Sequence, residues 1–241
     1  MKTISLILPT FNEQSNIEKL IRRIYGVLPD AEVIVVDDDS PDKTWEIAMN
    51  LAQEFSHLKV LRRINERGLM TAISAGINMA KGDAIGWLDC DLSMPPETFV
   101  TMAKHLDNAD VIIGSRYVPG GKDARPFMRK AFSPMINFIG KLLLGTKSID
   151  LTSGFILCRR NILAEFPLTG HYGEYFIALI FRAERAGYNV FEVPYIFTDR
   201  IEGKSKTNES FFGFLFLGIR YVKMIITLAK ERFFNEGKSC L

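Results

Sequence analysis

Between residues 4 and 115, short runs rich in branched and aromatic side chains alternate with longer stretches whose apolar residues recur every three to four positions. ISLILP (4–9), EVIVVD (32–37), LKVLRR (58–63), AIGWLD (84–89) and DVIIGS (110–115) have the length and composition of strands. SNIEKLIRRIYGVL (15–28), TWEIAMNLAQEF (44–55), GLMTAISAGINMA (68–80) and PETFVTMAKHL (96–106) have the period of helices. In the first helix Ile17, Leu20, Ile21, Ile24 and Leu28 share one face. Such alternation predicts right-handed βαβ units and an α/β fold built on a mostly parallel sheet. EVIVVD is apolar on both sides, as a sheet with helices on both faces requires. The second half is less regular. A helix is expected over 126–145, broken or begun near Pro134, then a strand at 154–160, a helix at 174–187, a strand at 189–195 and a helix from Ser210 to Phe234.

Composition narrows the classes of partner. In 241 residues, 30 basic and 28 acidic side chains leave a net charge of +2, so no global field calls for nucleic acid. Cys90, Cys158 and Cys240 lie far apart with no C-x-x-C spacing, which argues against zinc and a disulfide framework and for a reducing compartment. The apolar stretch of MKTISLILPTFNE is short and ends at Pro9, unlike a signal peptide. The best approach to a membrane span, FFGFLFLGI (211–219), is cut off by Arg220 and Lys223. His57, His105 and His171 read as loop or surface residues, and none is assigned to a metal.

Ligands of parallel α/β sheets collect outside the carboxyl ends of the strands. Here those ends carry Pro9, Phe11, Asn12 and Glu13, then Asp37, Asp38 and Asp39, then Asp89 and Asp91, then Ser115 and Arg116. Each acid alone reads equally well as a turn or helix cap; their convergence on one edge points to a site. In the extended LDCD segment, residues i and i+2 point the same way. Two carboxylates about 6 Å apart repel by about 3 kcal/mol at an effective dielectric of 20. A hard divalent cation such as Mg²⁺ or Mn²⁺, completed by phosphates and water, offsets that repulsion. A solvated turn capping the helix after Pro95-Pro96 is the competing reading, and for D-x-D alone the two are even. The neighbouring Asp38 favours metal and diphosphate. Neither G-x-x-x-x-G-K-[ST] nor G-x-G-x-x-G is present, which argues against P-loop kinases and Rossmann dehydrogenases.

LPTFNEQSNIEKLI, EVIVVDDDSPDKT, LDCDLSMPPE, VIIGSRYVPGG, RKAFSPMIN, DLTSGF and EVPYIFTDRIEGKSK stand in the order seen in polyprenol-phosphate (dolichol-phosphate) mannose synthases. The chain resembles these members of glycosyltransferase family 2, which have the GT-A fold, from residue 3 to about 207. The resemblance implies a single GT-A domain over 1–208, with a nucleotide-binding half at 1–115 and an acceptor half at 116–208, followed by an amphipathic helix and tail at 209–241. It implies that Pro9, Phe11, Glu13, Val36 and Asp38 cradle base and ribose. Asp89 and Asp91 would hold the metal and the donor diphosphate, with Cys90 and Ser93 lining the sugar-diphosphate pocket. Arg116, Arg129, Ser133 and Arg200 would meet acceptor or donor phosphates, and Lys206 would close over them. The implied reaction is metal-dependent transfer of a hexosyl group, mannose from GDP-mannose, onto a polyprenyl monophosphate. The acceptor's second pKa lies near 6, so it needs no general base, and in-line attack inverts the anomeric carbon. A UDP-sugar donor, a non-lipid acceptor, and a nucleotide-sugar-binding scaffold without turnover are the alternatives.

Three positions depart from the family pattern. Lys43 replaces a Gly, Ile156 replaces an Arg after TSGF, and Phe176-Ile177-Ala178 stands where an aromatic-Gln-x-Glu stretch is usual. Glu174 is placed either to compensate or to cap its helix. A lipid acceptor requires contact with the cytoplasmic membrane face, as a peripheral protein, alone or through a membrane-embedded partner. Phe211, Leu215, Val222, Ile225 and Ala229 form an apolar stripe suited to the interface. Packing of that stripe on the domain or on a partner's membrane helix is the alternative. The helix around Ile136 to Leu144 could be a second dipping element or a core element.

Overall fold

The computed structural model describes residues 2–125, 132–199 and 211–238, with 211–217 and 234–238 as backbone alone. In chain order the elements are β1 (Ile4–Thr10), α1 (Ile17–Val27), β2 (Glu32–Asp37), α2 (Thr44–Glu54), β3 (Leu58–Arg62) and α3 (Leu69–Met79). There follow β4 (Ala84–Trp87), α4 (Thr98–His105), β5 (Val111–Ser115), β6 (Lys122–Asp123), α5 (Phe132–Leu144) and β7 (Ile156–Arg159). The last are α6 (Arg160–Glu165), α7 (Tyr175–Arg185), β8 (Val190–Pro194), β9 (Ile196–Phe197) and α8 (Phe211–Lys238). Seven strands form the main sheet in the order β3-β2-β1-β4-β7-β5-β8, and β6 pairs with β9 in a separate ribbon.

The sheet is mostly parallel, as the alternation requires. The exception is β7, which enters antiparallel between β4 and β5. Side chains alternate between two cores. Leu6, Leu8, Val33 and Val35 pack under α1, α2 and α4, whereas Ile7, Ile34, Val36 and Trp87 pack under α3 and α7. The four central residues of β2 are wholly inaccessible, and each such side chain contributes about 1.5–3 kcal/mol on burial.

The strands stagger to open the site edge. The β1–β4 ladder stops at Ile7↔Trp87, so Pro9, which lacks an N–H, lies beyond it and pairs with Val36 on β2 alone. β4 itself stops two residues short of the expected Asp89, leaving Leu88 and Asp89 free of the ladder. Lys43, the N-cap of α2, has φ +64, a left-handed conformation that favours glycine. The departure from Gly at this position is therefore a local strain.

α5 begins at Phe132 with Pro134 in its first turn, where proline is tolerated. It runs beside and parallel to α8. A Cβ on Gly218 would meet Phe132, one on Gly140 would meet Ile225, and one on Gly145 would meet Arg232. Ile225 and Leu228 are fully buried in the same core as α7, with Val222 and Ala229 packed against it. The stripe expected at a lipid surface thus faces the domain from Val222 onward. Among the described residues, Ile219, Ile226 and Phe233 are the exposed large apolar residues of α8, and Met135, Phe138, Leu142 and Leu143 those of α5. Among the described residues no helix is long and apolar enough to cross a membrane.

Candidate active site

The carboxyl ends of β1, β2, β4 and β5 converge with the loop leading into β7, and the acidic segments meet there. The turn after β4 is fixed by its own side chains. Asp91 Oδ1 accepts from the Ser93 amide (3.1 Å) and hydroxyl (2.5 Å), and Leu92 between them is left-handed at φ +62. A branched residue held at positive φ costs about 1–3 kcal/mol and persists only where the surroundings enforce it. The carbonyl of Ser93 accepts from the Thr198 amide (3.3 Å), which ties the segment after β9 to this turn. Asp91 and Ser93 are buried, and Asp89 is half-buried. Alternation along the segment turns Cys90 the other way, into the core beneath α4. Its expected place in the pocket lining is therefore corrected: a side chain packed in that core does not line the opening.

Three phenols, those of Tyr175, Tyr195 and Tyr221, lie within reach of the Asp89 charge. Tyr175 Oη accepts from Trp87 Nε1 at 3.0 Å, and Tyr221 of α8 sets its hydroxyl against Gly173, where any Cβ would displace it. Burial pushes the Tyr175, Tyr195 and Tyr221 hydroxyls up in pKa, and the Asp89 carboxylate adds to the effect in each. All three therefore remain protonated donors at neutral pH. The loop carrying Gly173 is held by Glu174, whose carboxylate accepts from the amides of His171 (2.9 Å) and Tyr172 (3.1 Å). These amides precede the helix, and Glu174, at its N-cap, makes no side-chain bond to the helix amides, so it ties the loop rather than capping the helix as one sequence alternative had it.

On the nucleotide side, Asp37 organises the first turn, accepting from Thr10 Oγ1 (2.9 Å), Ser40 N (2.8 Å) and Ser40 Oγ (2.6 Å). Asp38 accepts from Arg63 Nε (2.7 Å) and from the Gly68 amide (2.8 Å), so it ties β2 to the start of α3. Arg63 is itself buried, an element that the sequence reading did not single out. Phe11 lies beneath the guanidinium of Arg67 at 4.0 Å from the ring centre, a flat surface of the kind a base stacks on. Glu13 is buried, with its carboxylate accepting from Asn16 Nδ2 (2.9 Å) and its amide donating to Thr44 Oγ1 (2.9 Å). Val36 is a core residue with no exposure, so its side chain does not contribute to the cradle as expected. Its carbonyl accepts from Thr10 Oγ1.

On the acceptor side, Arg116 is buried against Asp150. Its main-chain amide (3.0 Å), Nε (2.8 Å) and Nη2 (2.6 Å) all donate to that carboxylate, and Nη2 also donates to Thr152 Oγ1 (2.8 Å). Burial opposes the charge on Arg116, but Asp150 overrides it and keeps the guanidinium charged. Asp123 lies 3.8 Å from Nη1 and pairs with Arg125 at 2.7 Å. Burial works against the Asp123 charge, yet Arg125 and Arg116 hold its pKa below the ordinary value. Phe197 lies under both guanidinium groups. The expected direct role of Arg116 is thus recast: its fork is filled by protein, and Asp150 of DLTSGF is the partner the sequence reading missed. Ser133 is half-buried at the start of α5. Arg129, Arg200 and Lys206 lie outside the described residues.

No cluster of three or more His, Cys, Asp or Glu side chains is placed to hold a metal among the described residues. The pair Asp89 and Asp91 offers hard oxygen donors and no more. That set fits Mg²⁺ or Mn²⁺ only where substrate phosphates and water complete the shell, which is how Mg²⁺ is ordinarily bound.

The glycosyl transferase family 2 profile matches residues 5–166. A dolichol-phosphate mannosyltransferase of Pyrococcus furiosus is 37% identical over 209 residues, which make up 84% of this chain and 58% of that protein. The chain therefore spans little more than half the length of that relative. A polyprenol monophosphomannose synthase of Mycolicibacterium smegmatis is 35% identical over 214 residues, 85% of this chain and 81% of that one. Among solved structures, glucosyl-3-phosphoglycerate synthase from Mycobacterium tuberculosis in complex with Mn²⁺, UDP and glucosyl-3-phosphoglycerate superposes with a TM-score of 0.73 at 18% identity, covering 95% of this chain and 80% of that one. That likeness bears out the GT-A fold. A profile spanning most of the chain, with relatives above 30% identity over most of their length, shows that this protein is a glycosyltransferase and belongs to glycosyl transferase family 2.

Proposed function

We propose that this chain transfers a mannosyl group from GDP-mannose to a polyprenyl monophosphate, with inversion at the anomeric carbon. The observation that carries the reading is the half-buried Asp89 beside a self-capped Asp91 at the mouth of β4, opposite the Phe11 and Asp38 edge. The names of the relatives support a polyprenyl-phosphate acceptor and mannose. The solved neighbour binds Mn²⁺ and UDP, so the metal agrees with the proposal and the nucleotide is the point to test.

Phe11 with Arg67 would receive the base, and Asp38 would set the ribose edge through its tie to Gly68. Asp89 and Asp91 would hold a divalent ion with the diphosphate; bound there, Mg²⁺ or Mn²⁺ supplies positive charge to the leaving group. Ser93 keeps Asp91 aimed. Tyr175 and Tyr195 are buried and Tyr221 is seated on Gly173, so these neutral phenols would back the Asp89 side of the site without adding charge. Ser133 at the start of α5, with Arg129, Arg200 and Lys206, would bring in the acceptor phosphate; Arg116 with Asp150 positions this half. An acceptor already anionic at neutral pH needs only positioning and neutralisation.

A lipid acceptor places the protein on the cytoplasmic membrane face, as a peripheral protein with or without a membrane-embedded partner. The exposed line of Met135, Phe138 and Leu142 on α5 and that of Ile219, Ile226 and Phe233 on α8 support this contact. Labelled GDP-mannose, UDP-glucose and UDP-N-acetylglucosamine, each with Mn²⁺ and a short polyprenyl phosphate in detergent, test the reading. Lipid-soluble label from GDP-mannose alone is expected. Label from a UDP-sugar alone would replace the donor, and donor binding without transfer would leave a scaffold.

A further inference from the structure

At the far end of α5 from Ser133 lies a cleft of about 220 Å³, floored by Phe181 and walled by Thr146, Lys147, Glu184, Arg185 and Arg232. We propose that this cleft binds the phosphate of an anionic phospholipid headgroup, at a site separate from the acceptor site. The inference rests on the membrane contact proposed above.

Three cations and one carboxylate give the cleft walls a net charge of +2. Glu184 is already engaged: it accepts from the amides of Lys147 (2.8 Å) and Ser148 (2.9 Å) and from Ser148 Oγ (2.5 Å). Arg232 Nη1 donates to the Leu143 carbonyl (3.2 Å), which satisfies the negative end of α5. Lys147 and Arg185 are exposed at the rim. Thr146 is 5% exposed, and its hydroxyl has no hydrogen-bond partner. A buried hydroxyl without a partner costs about 1–3 kcal/mol, and an anion in the cleft would supply the missing acceptor.

The rim says which anion. Leu142 is 68% exposed and Phe233 64% exposed, both beside the charged walls. Met135, Phe138 and Leu142 continue that apolar surface along α5, and Ile219, Ile226 and Phe233, spaced by seven, continue it along α8. A free phosphate has no use for such a border, whereas a phospholipid presents acyl chain and phosphate together. Ser133 and Leu144 are eleven residues apart on α5, about 17 Å at 1.5 Å per residue. With α5 lying in the interface, the acceptor would meet one end and the lipid headgroup the other.

The test uses the full chain and vesicles of phosphatidylcholine with or without phosphatidylglycerol. Lys147→Gln with Arg185→Gln should weaken binding to the anionic vesicles by about five-fold per cation, and leave binding to neutral vesicles unchanged. Lys81→Gln with Lys104→Gln removes the same charge elsewhere and should have little effect. Equal losses in both pairs would mean diffuse attraction and would overturn the site. Thr146→Val, which keeps the shape, should weaken anionic binding a few-fold without lowering Tm; unchanged binding would also count against the site. Dihexanoyl phosphatidylglycerol should protect Lys147 from acetylation. Equal protection by inorganic phosphate would make this a free-phosphate site and overturn the lipid assignment. Transfer to a short acceptor in detergent should be unaffected in every variant. Absence of transfer in the unsubstituted protein would remove the proposed reaction, while the vesicle measurements would still decide the cleft.

Discussion

Replacing Asp150 by Asn is the most informative single change in the acceptor half. Asp150 has no exposed surface and takes three donors from Arg116, together with Asn137 Nδ2 and the hydroxyl of Thr152. The substitution keeps the shape and removes the charge, leaving a guanidinium buried without its counter-ion. Removing one partner of a buried pair costs about 3–5 kcal/mol. Asp123, at 3.8 Å from Nη1, is the remaining carboxylate near that head group among the described residues, so the lower half of the range is expected. Against a total of about 5–15 kcal/mol the fold should survive, with Tm lowered by roughly 6–16 °C at about 2–4 °C per kcal/mol. Urea melts should show a shifted midpoint with an unchanged slope. The double change Arg116→Met with Asp150→Leu removes both charges and should recover most of the stability, yet transfer should stay low because the acceptor half has lost its positioning pair. A loss below about 1 kcal/mol for Asp150→Asn, or a double variant as unstable as the summed singles, would refute the assignment of this pair as the organiser of that half.

Gly173→Ala should push the Tyr221 hydroxyl off its seat and cost about 1–3 kcal/mol, as overpacking does; an unchanged melt would show that α8 is not seated there. Lys43→Gly should relieve the left-handed N-cap at φ +64 and raise stability by up to about 1 kcal/mol; a lower Tm would contradict the strain. Asp123 has a folded pKa below its ordinary value of 3.8. Its contribution is therefore present above that value and is lost as pH falls through the lower folded pKa. Asp123→Asn should flatten the acid limb of a stability profile below about pH 4, and an unchanged limb would exclude this ion pair from it. Removing divalent metal with EDTA should abolish donor binding, which equilibrium dialysis with labelled nucleotide sugar would show; retained binding would contradict the metal's place in the site.

Periodicity made the first half of the fold legible. Alternation and β-branching located β1 to β5, and the 3.6-residue period located the helices between them, because both are local properties. Strand direction is not local. GFILCRR reads as a strand, but nothing in it reveals that β7 enters antiparallel, and two-residue strands such as β6 and β9 are too short to leave a pattern. On α8 the periodicity allowed two apolar lines. The line through Val222, Ile225 and Ala229 looked like a membrane face but packs on the core, while that through Ile219, Ile226 and Phe233 is exposed. Which line turns inward depends on Gly218, where the missing side chain admits Phe132 of the neighbouring helix, and that is a tertiary fact.

The candidate site was legible where chemistry is carried by short strings. The rule that placed Asp89 and Asp91 on one side also places Cys90 on the other, so its burial was readable from the same alternation. Val36 was readable too, as the centre of an all-apolar strand. Asp150, Arg63 and Tyr221 were not, because their roles come from partners 25 or more residues away, Gly173 among them.

The central claim is that the pair after β4 holds a divalent ion against the donor diphosphate. Phosphorus-31 resonances of GDP-mannose bound to the full chain, titrated with Mn²⁺, test it most directly. Strong paramagnetic broadening of both diphosphate signals is expected, and its loss in Asp89→Asn and Asp91→Asn variants that still melt cooperatively. Broadening that persists in those variants, or sharp signals in the parent protein at saturating Mn²⁺, would contradict the account.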